Sequence, residues 1–130
     1  MNLKIHHVGI ACKNIEKAVK EFKKMYNVIE VSEIIYDELQ HANLCMLKTD
    51  TGLDVEFISG EQVAKLLTAK ITYYHICYSV ENIESAIKHF EENGALMISG
   101  PKPAKLFEGK SVAFLMTKLG LIELVEENDI

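Results

Sequence analysis

The residues best suited to chemistry in this chain are two histidines and two glutamates. His7 sits in "KIHHVGIACKNIEKAVKEF" (residues 4–22) and His75 in "YYHICYSVENIESAIKHF" (residues 73–90). Glu56 lies in "DVEFIS" and Glu123 in "LIELVE". Each interrupts a stretch that otherwise reads as an apolar strand. A carboxylate in such a place costs free energy unless it is paired, hydrogen-bonded or bound to a metal. Two carboxylates and two imidazoles facing one concavity would repel each other or titrate abnormally without a cation. A divalent metal answers both demands, because it takes neutral imidazole and carboxylate together. For any one of the four alone, the simpler reading is a polar residue that is exposed or satisfied locally.

Spacing argues for treating the four as a set. With His7 set over His75 the two stretches register without a gap, Asn14 falling on Asn82, Ile15 on Ile83, Glu16 on Glu84, Ala18 on Ala86, Lys20 on Lys88 and Phe22 on Phe90. The offset is 75 − 7 = 68, about half of the 130 residues. Glu56 and Glu123 follow at 123 − 56 = 67. Two copies are too few for a solenoid, so the pattern is an internal duplication. Chance does not respect a duplication, and the repeat-equivalent placement favours a shared role.

The elements that must position these residues repeat as well. A strand with alternating, β-branched and aromatic residues is predicted over Lys4–Ala11 and again over Thr72–Val80. Asn14 and Asn82 are good N-caps, each followed by a glutamate in the first turn, where the helix dipole favours it. Ile15, Ala18, Val19 and Phe22 then recur at helical spacing, as do Ile83, Ala86, Ile87 and Phe90. Gly94 is placed to close the second helix at C′. Three shorter strands are expected after each helix: Val28–Ile35, Ala42–Thr49 and Asp54–Ser59, then Leu96–Ser99, Lys110–Thr117 and Gly120–Glu126. The expected fold is therefore α+β, a βαβββ unit twice. A single domain over residues 1–130 would comprise module one (1–59), a linker with a short helix (60–70) and module two (71–130).

Strand alternation sends successive side chains to opposite faces. Val8 and Ile10 oppose His7 and Gly9; Ile76 and Tyr78 oppose His75 and Cys77. Val55 and Phe57 oppose Glu56, and Ile122 and Leu124 oppose Glu123. One face of each sheet is expected under its helix, the other to carry His and Glu. His6 registers with Tyr74 on the wrong face, so His7 is the working histidine. His41 and His89 have no support from the repeat, and His89 is expected to be solvated.

Composition narrows the classes. The chain is 48% hydrophobic and 25% charged, as in ordinary globular domains, with a net charge of −5. An acidic balance argues against a nucleic-acid partner, which needs a basic patch. No apolar run approaches the ~20 residues of a membrane span. No N-terminal signal region is visible, and a cytoplasmic location is expected. Cys12, Cys45 and Cys77 are odd in number and form no CxxC, so they read as small hydrophobes in a reducing compartment.

The segments "HHVGIACKNIEKAVKEF", "VEFIS", "YHICYSVENIESAIKHF" and "SVAFLMTKLGLIELVE" resemble the vicinal oxygen chelate superfamily of glyoxalases, epimerases and extradiol dioxygenases. The resemblance covers nearly the whole chain. It implies paired βαβββ modules whose curled mixed sheet forms a cup (the glyoxalase/bleomycin-resistance fold) around one divalent metal. By that resemblance His7, Glu56, His75 and Glu123 are the four ligands, and the metal is Zn, Ni, Co, Mn, Fe or Mg. Within the superfamily, "KPAKLFEGKSVAFL" and "LIELVE" look most like the methylmalonyl-CoA epimerases. Those usually carry a longer His-Pro turn than "MTKLG", and often glutamine at the position of Glu56; glyoxalase I, like this chain, often has glutamate there.

Both subfamilies chelate neighbouring substrate oxygens and move a proton at the adjacent carbon. An α-proton leaves only if the enolate is stabilised, which a Lewis acid does, and a base of tuned pKa must take it. Glu123 could serve as that base. An epimerase needs a second acid on the other face, for which Asp37 and Glu38 are the nearest candidates, Glu38 being preferred; the alternative is ordinary loop charge. Lys102, Lys105 and Lys110 could meet the phosphates of a CoA thioester as point charges, or form a solvated basic loop. The implied partner is thus a small molecule, a CoA or other thioester or a thiol adduct. A lactoylglutathione lyase-type (glyoxalase I) enzyme and a sequestering resistance protein of the same fold are the alternatives, the latter often lacking the ligands kept here. A homodimer is expected, because open sheet edges invite a second copy.

Overall fold

Both asparagines expected to start helices do so. Asn14 is extended, and its side chain accepts from the Lys17 N–H at 2.9 Å; Asn82 accepts from Ser85 N–H at 2.9 Å. Helix α1 runs Ile15–Met25 and α3 Ile83–Glu92. Gly94 follows α3 at φ +96°, the left-handed region that suits glycine. Its N–H donates to Glu91 O and that of Ala95 to Phe90 O, so the last carbonyls of the helix are satisfied as in a Schellman cap.

The computed structural model describes residues 1–128. It forms two compact units, His7–Tyr74, and Met1–His6 with the chain from His75 onward. In the first, the strands are β1 (Lys4–Ala11, from His7 on), β2 (Val28–Val31), β3 (Ile35–Asp37), β4 (Ala42–Thr49) and β5 (Val55–Ser59). They lie in the order β2-β4-β5-β1 with β3 also on β4; β1 and β5 are parallel and the other pairs antiparallel. Ile15 and Phe22 of α1 bury against Ile10, Cys45, Leu47, Val55 and Phe57, with Val8 and Cys12 at the margin. The alternation read from β1 and β5 is therefore the one that packs under the helix.

The second unit repeats the plan with β6 (Tyr73–Val80), β7 (Leu96–Pro103), β8 (Ser111–Thr117) and β9 (Gly120–Glu126), ordered β6-β9-β8-β7. Again the first and last strands are parallel and the rest antiparallel. Ile83, Ala86 and Ile87 of α3 pack on Val80, Ala113, Leu115 and Leu124, with Tyr78 and Ile122 beside them. Among the described residues there are thus three α-helices and nine strands. The architecture is α+β, with a duplicated helix-on-sheet plan.

Three details differ from the sequence reading. The strand expected over Val28–Ile35 is two strands, β2 and β3, both on β4. At the break the Ser32 hydroxyl accepts the Met46 N–H at 2.9 Å, a ladder bond made by a side chain instead of a backbone carbonyl. The strand expected to stop at Ser99 continues to Pro103 through two register shifts. Pro101 and Pro103 are tolerated there because, among the described residues, β7 pairs with β8 alone, and an edge strand can lack a donor. The linker helix is a 3₁₀ turn, Glu61–Val63, running into α2 (Ala64–Thr68).

Candidate metal centre

Each unit carries one buried histidine–glutamate pair on the face away from its helix. In the first, parallel pairing sets Gly9 opposite Glu56, so no side chain stands between Glu56 and His7 two residues earlier on β1. His7 Nε2 lies 3.4 Å from Glu56 Oε1. His7 is 0% and Glu56 3% exposed. Across β4–β5 the residue opposite Glu56 is Met46.

The second unit repeats this with tighter spacing. Cys77 lies opposite Glu123 in the β6–β9 register, and His75 precedes it on the same face. His75 Nε2 and Glu123 Oε1 are 3.1 Å apart, and the residues are 4% and 1% exposed. Phe114 on β8 is the residue opposite Glu123. Its ring meets the His75 imidazole edge-to-face, centroids 5.4 Å apart and planes at 89°. Cys77, Ala104, Val112 and Val125 form a buried apolar cluster in the same unit.

The donor set fits a divalent cation. Burying an ionised carboxylate costs several kcal/mol unless it is closely compensated, and each of these carboxylates has an imidazole nitrogen within ion-pair range. Imidazole nitrogen with carboxylate oxygen is the mixture that zinc and its neighbours in the first transition row accept.

The other candidates are placed differently. Asp37 is buried, and its carboxylate is engaged in the turn after β3, accepting from Leu39 N–H at 3.0 Å and Gln40 Nε2 at 3.1 Å. Glu38 is exposed on that turn. Lys110 Nζ is 2.9 Å from Glu127 Oε2, so this ammonium is an internal ion-pair partner. Lys102 is half-buried on β7 opposite Val112, and Lys105 is exposed. His6 lies 3.8 Å from Glu127 and edge-on to Phe107; His41 and His89 are exposed.

Sequence reasoning missed two features here. One is the Glu127 cluster. Burial pushes this carboxyl up, but the Ser79 hydroxyl, the Lys110 ammonium and the charge of His6 together bring it below the usual carboxylate value. The other is Phe114, whose signal was available: the offset of 68 that relates His7 to His75 also relates Met46 to Phe114 (114 − 46). A groove of about 610 Å³ in the second unit, lined by Ile76, Tyr78, Phe90 and Ile122 among others, opens on the helix side and not on the His75–Glu123 face.

Residues 6–114 match the family described as the Glyoxalase/Bleomycin resistance protein/Dioxygenase superfamily. An ethylmalonyl-CoA/methylmalonyl-CoA epimerase of Cereibacter sphaeroides is 28% identical over 121 residues, 88% of this chain and 89% of that protein. Among solved structures, methylmalonyl-CoA epimerase from Mycobacterium tuberculosis superposes with a TM-score of 0.79 at 17% identity, over 94% of this chain and 86% of that one. A Streptomyces coelicolor methylmalonyl-CoA epimerase variant in complex with 2-nitronate-propionyl-CoA gives 0.73 at 20% identity, over 98% and 96%. At these identities the structural likeness is one of fold. The family match spans most of the chain and includes His7, Glu56 and His75, and the chain belongs to the glyoxalase/bleomycin resistance protein/dioxygenase superfamily.

Proposed function

We propose that this chain is a divalent-metal-dependent enzyme that moves the proton on the carbon beside a thioester carbonyl, an epimerase of 2-alkylmalonyl-CoA substrates. The observation that carries the reading is a buried His–Glu pair at repeat-equivalent positions in each unit. His7, Glu56, His75 and Glu123 would together hold one metal ion. When bound, the ion supplies Lewis acidity to neighbouring substrate oxygens, which lowers the cost of an enolate. The malonyl-CoA assignment rests on the name of the Cereibacter relative.

The chain's own residues supply the rest. Glu123 accepts the α-proton on a carboxylate oxygen, from a dry site where proton transfer is not shared with bulk water. Inversion needs a proton returned to the opposite face. Glu38 is the candidate, since the Asp37 carboxylate holds its own turn. Lys102, Lys105 and Lys110 are the candidates for CoA phosphates, Lys110 also pairing with Glu127. A homodimer is part of the proposal. Ile29 on β2 and Leu96 and Ile98 on β7 are exposed on strands that pair on one side only within their units, the kind of edge that a second copy covers.

Two measurements test it. Elemental analysis of protein purified without chelator should find close to one transition-metal or magnesium ion per chain, lost in His7→Ala and His75→Ala. Deuterium from D2O should wash into the α-position of methylmalonyl-CoA or ethylmalonyl-CoA. Turnover of a methylglyoxal–thiol adduct with no wash-in would replace the epimerase by a glyoxalase-type reaction. Binding without turnover of either would favour sequestration.

A further inference from the structure

Resting on the metal reading above, we infer that Phe114 is a positioning residue that holds the plane of the His75 imidazole with Nε2 toward Glu123, making His75 the rigid ligand of the set. Torsion about the bond carrying an imidazole ring is broad and roughly two-fold, so the ring's own preferences do not aim Nε2. Packing against the ring can help to do it. Phe114 stands opposite Glu123 across the β8–β9 ladder and meets the His75 ring at 89°, with ring centroids 5.4 Å apart. Phe114 is itself 6% exposed. Such an edge-to-face contact holds the plane of the imidazole, and the 3.1 Å approach of Nε2 to Glu123 Oε1 distinguishes between the two flips of the ring in that plane.

The duplication supplies an internal comparison. At the equivalent place opposite Glu56 stands Met46, half-buried, an unbranched and adaptable side chain. A stiff partner beside His75 and a compliant one opposite Glu56 suit a site in which the His75 ring is the fixed ligand.

The test compares Phe114→Met, Phe114→Tyr and Met46→Leu, each checked for a native circular dichroism spectrum. Metal affinity and dissociation rate are read with a zinc-responsive chromophoric chelator, using Zn²⁺ alone and no substrate. Phe114→Met should weaken zinc affinity by about 10–100-fold, the usual cost of removing a residue that orients a ligand, and mainly by faster release. Phe114→Tyr keeps the ring and should restore near-parental release; Met46→Leu should change little. Folded Phe114→Met protein that releases zinc at the parental rate overturns the inference, and so does an equal loss in Met46→Leu. Should Phe114→Met not fold, the metal-free parent decides: no nuclear Overhauser contact between the His75 and Phe114 rings would also overturn it. His75→Ala separates the two levels, since zinc binding that survives that change refutes the metal reading itself.

Discussion

Glu123→Gln is the perturbation that separates a proton-transfer residue from a scaffold. Glutamine keeps the size and one carbonyl oxygen at the position now 3.1 Å from His75 Nε2, and removes the charge and the capacity to take a proton. In stability, the exchange removes a desolvated charge and keeps a carbonyl oxygen beside His75, so its effect stays within the about 0.5–3 kcal/mol of an ordinary substitution. A domain stable by about 5–15 kcal/mol stays folded after that loss. In catalysis, general acid–base assistance is worth about 10²–10⁴-fold, or roughly 2.7–5.5 kcal/mol of barrier. The turnover loss therefore exceeds anything partial unfolding supplies. Glu56→Gln has a similar stability cost at its 3.4 Å pair, but as a ligand alone it should leave turnover largely intact. The assay is deuterium wash-in to the substrate α-carbon at saturating metal, with urea midpoints measured alongside. Equal turnover losses in the two variants, or full activity in Glu123→Gln, would refute Glu123 as the proton-transfer residue.

Asn82→Ala removes the acceptor for both the Ser85 N–H and its hydroxyl, so it should lower stability by about 1–2 kcal/mol, and more than Asn14→Ala, which loses only the Lys17 N–H; urea melts compare them. Glu127 has a carboxyl lower in the folded chain than in the unfolded one, so its contribution is fully present above pH 4.5 and is lost as pH falls through the folded value. Lys110→Met and Ser79→Ala should each flatten the fall of stability below pH 4.5, and an unchanged slope in both would remove Glu127 as its source. Sedimentation at micromolar concentration should show a dimer, and a single species near 14.7 kDa would exclude it.

Much of this molecule is written locally. The caps at Asn14 and Asn82, the Gly94 stop, the helix stripes and the strand alternation depend on residues within a few positions of one another. The duplication made that reading doubly constrained. It also singled out His7, Glu56, His75 and Glu123, because apolar strands advertise a misplaced charge. Other features depend on partners that adjacent residues do not reveal. Ser32 splits a predicted strand because its hydroxyl reaches Met46, 14 positions away. Lys110 is an ion-pair partner and not simply a loop charge because Glu127, 17 positions on and just past the end of β9, lies beside it. Proline ends most strands, yet β7 runs on to Pro103 because its outer side needs no donors within the unit. Asp37 and Glu38, adjacent in sequence, separate into a buried turn-former and an exposed acid. Periodicity and capping are properties of the chain's neighbours along itself and could be read from one string of letters. Register, edge position and the ring packed against His75 are set by which segments meet, and only the tertiary structure decides that.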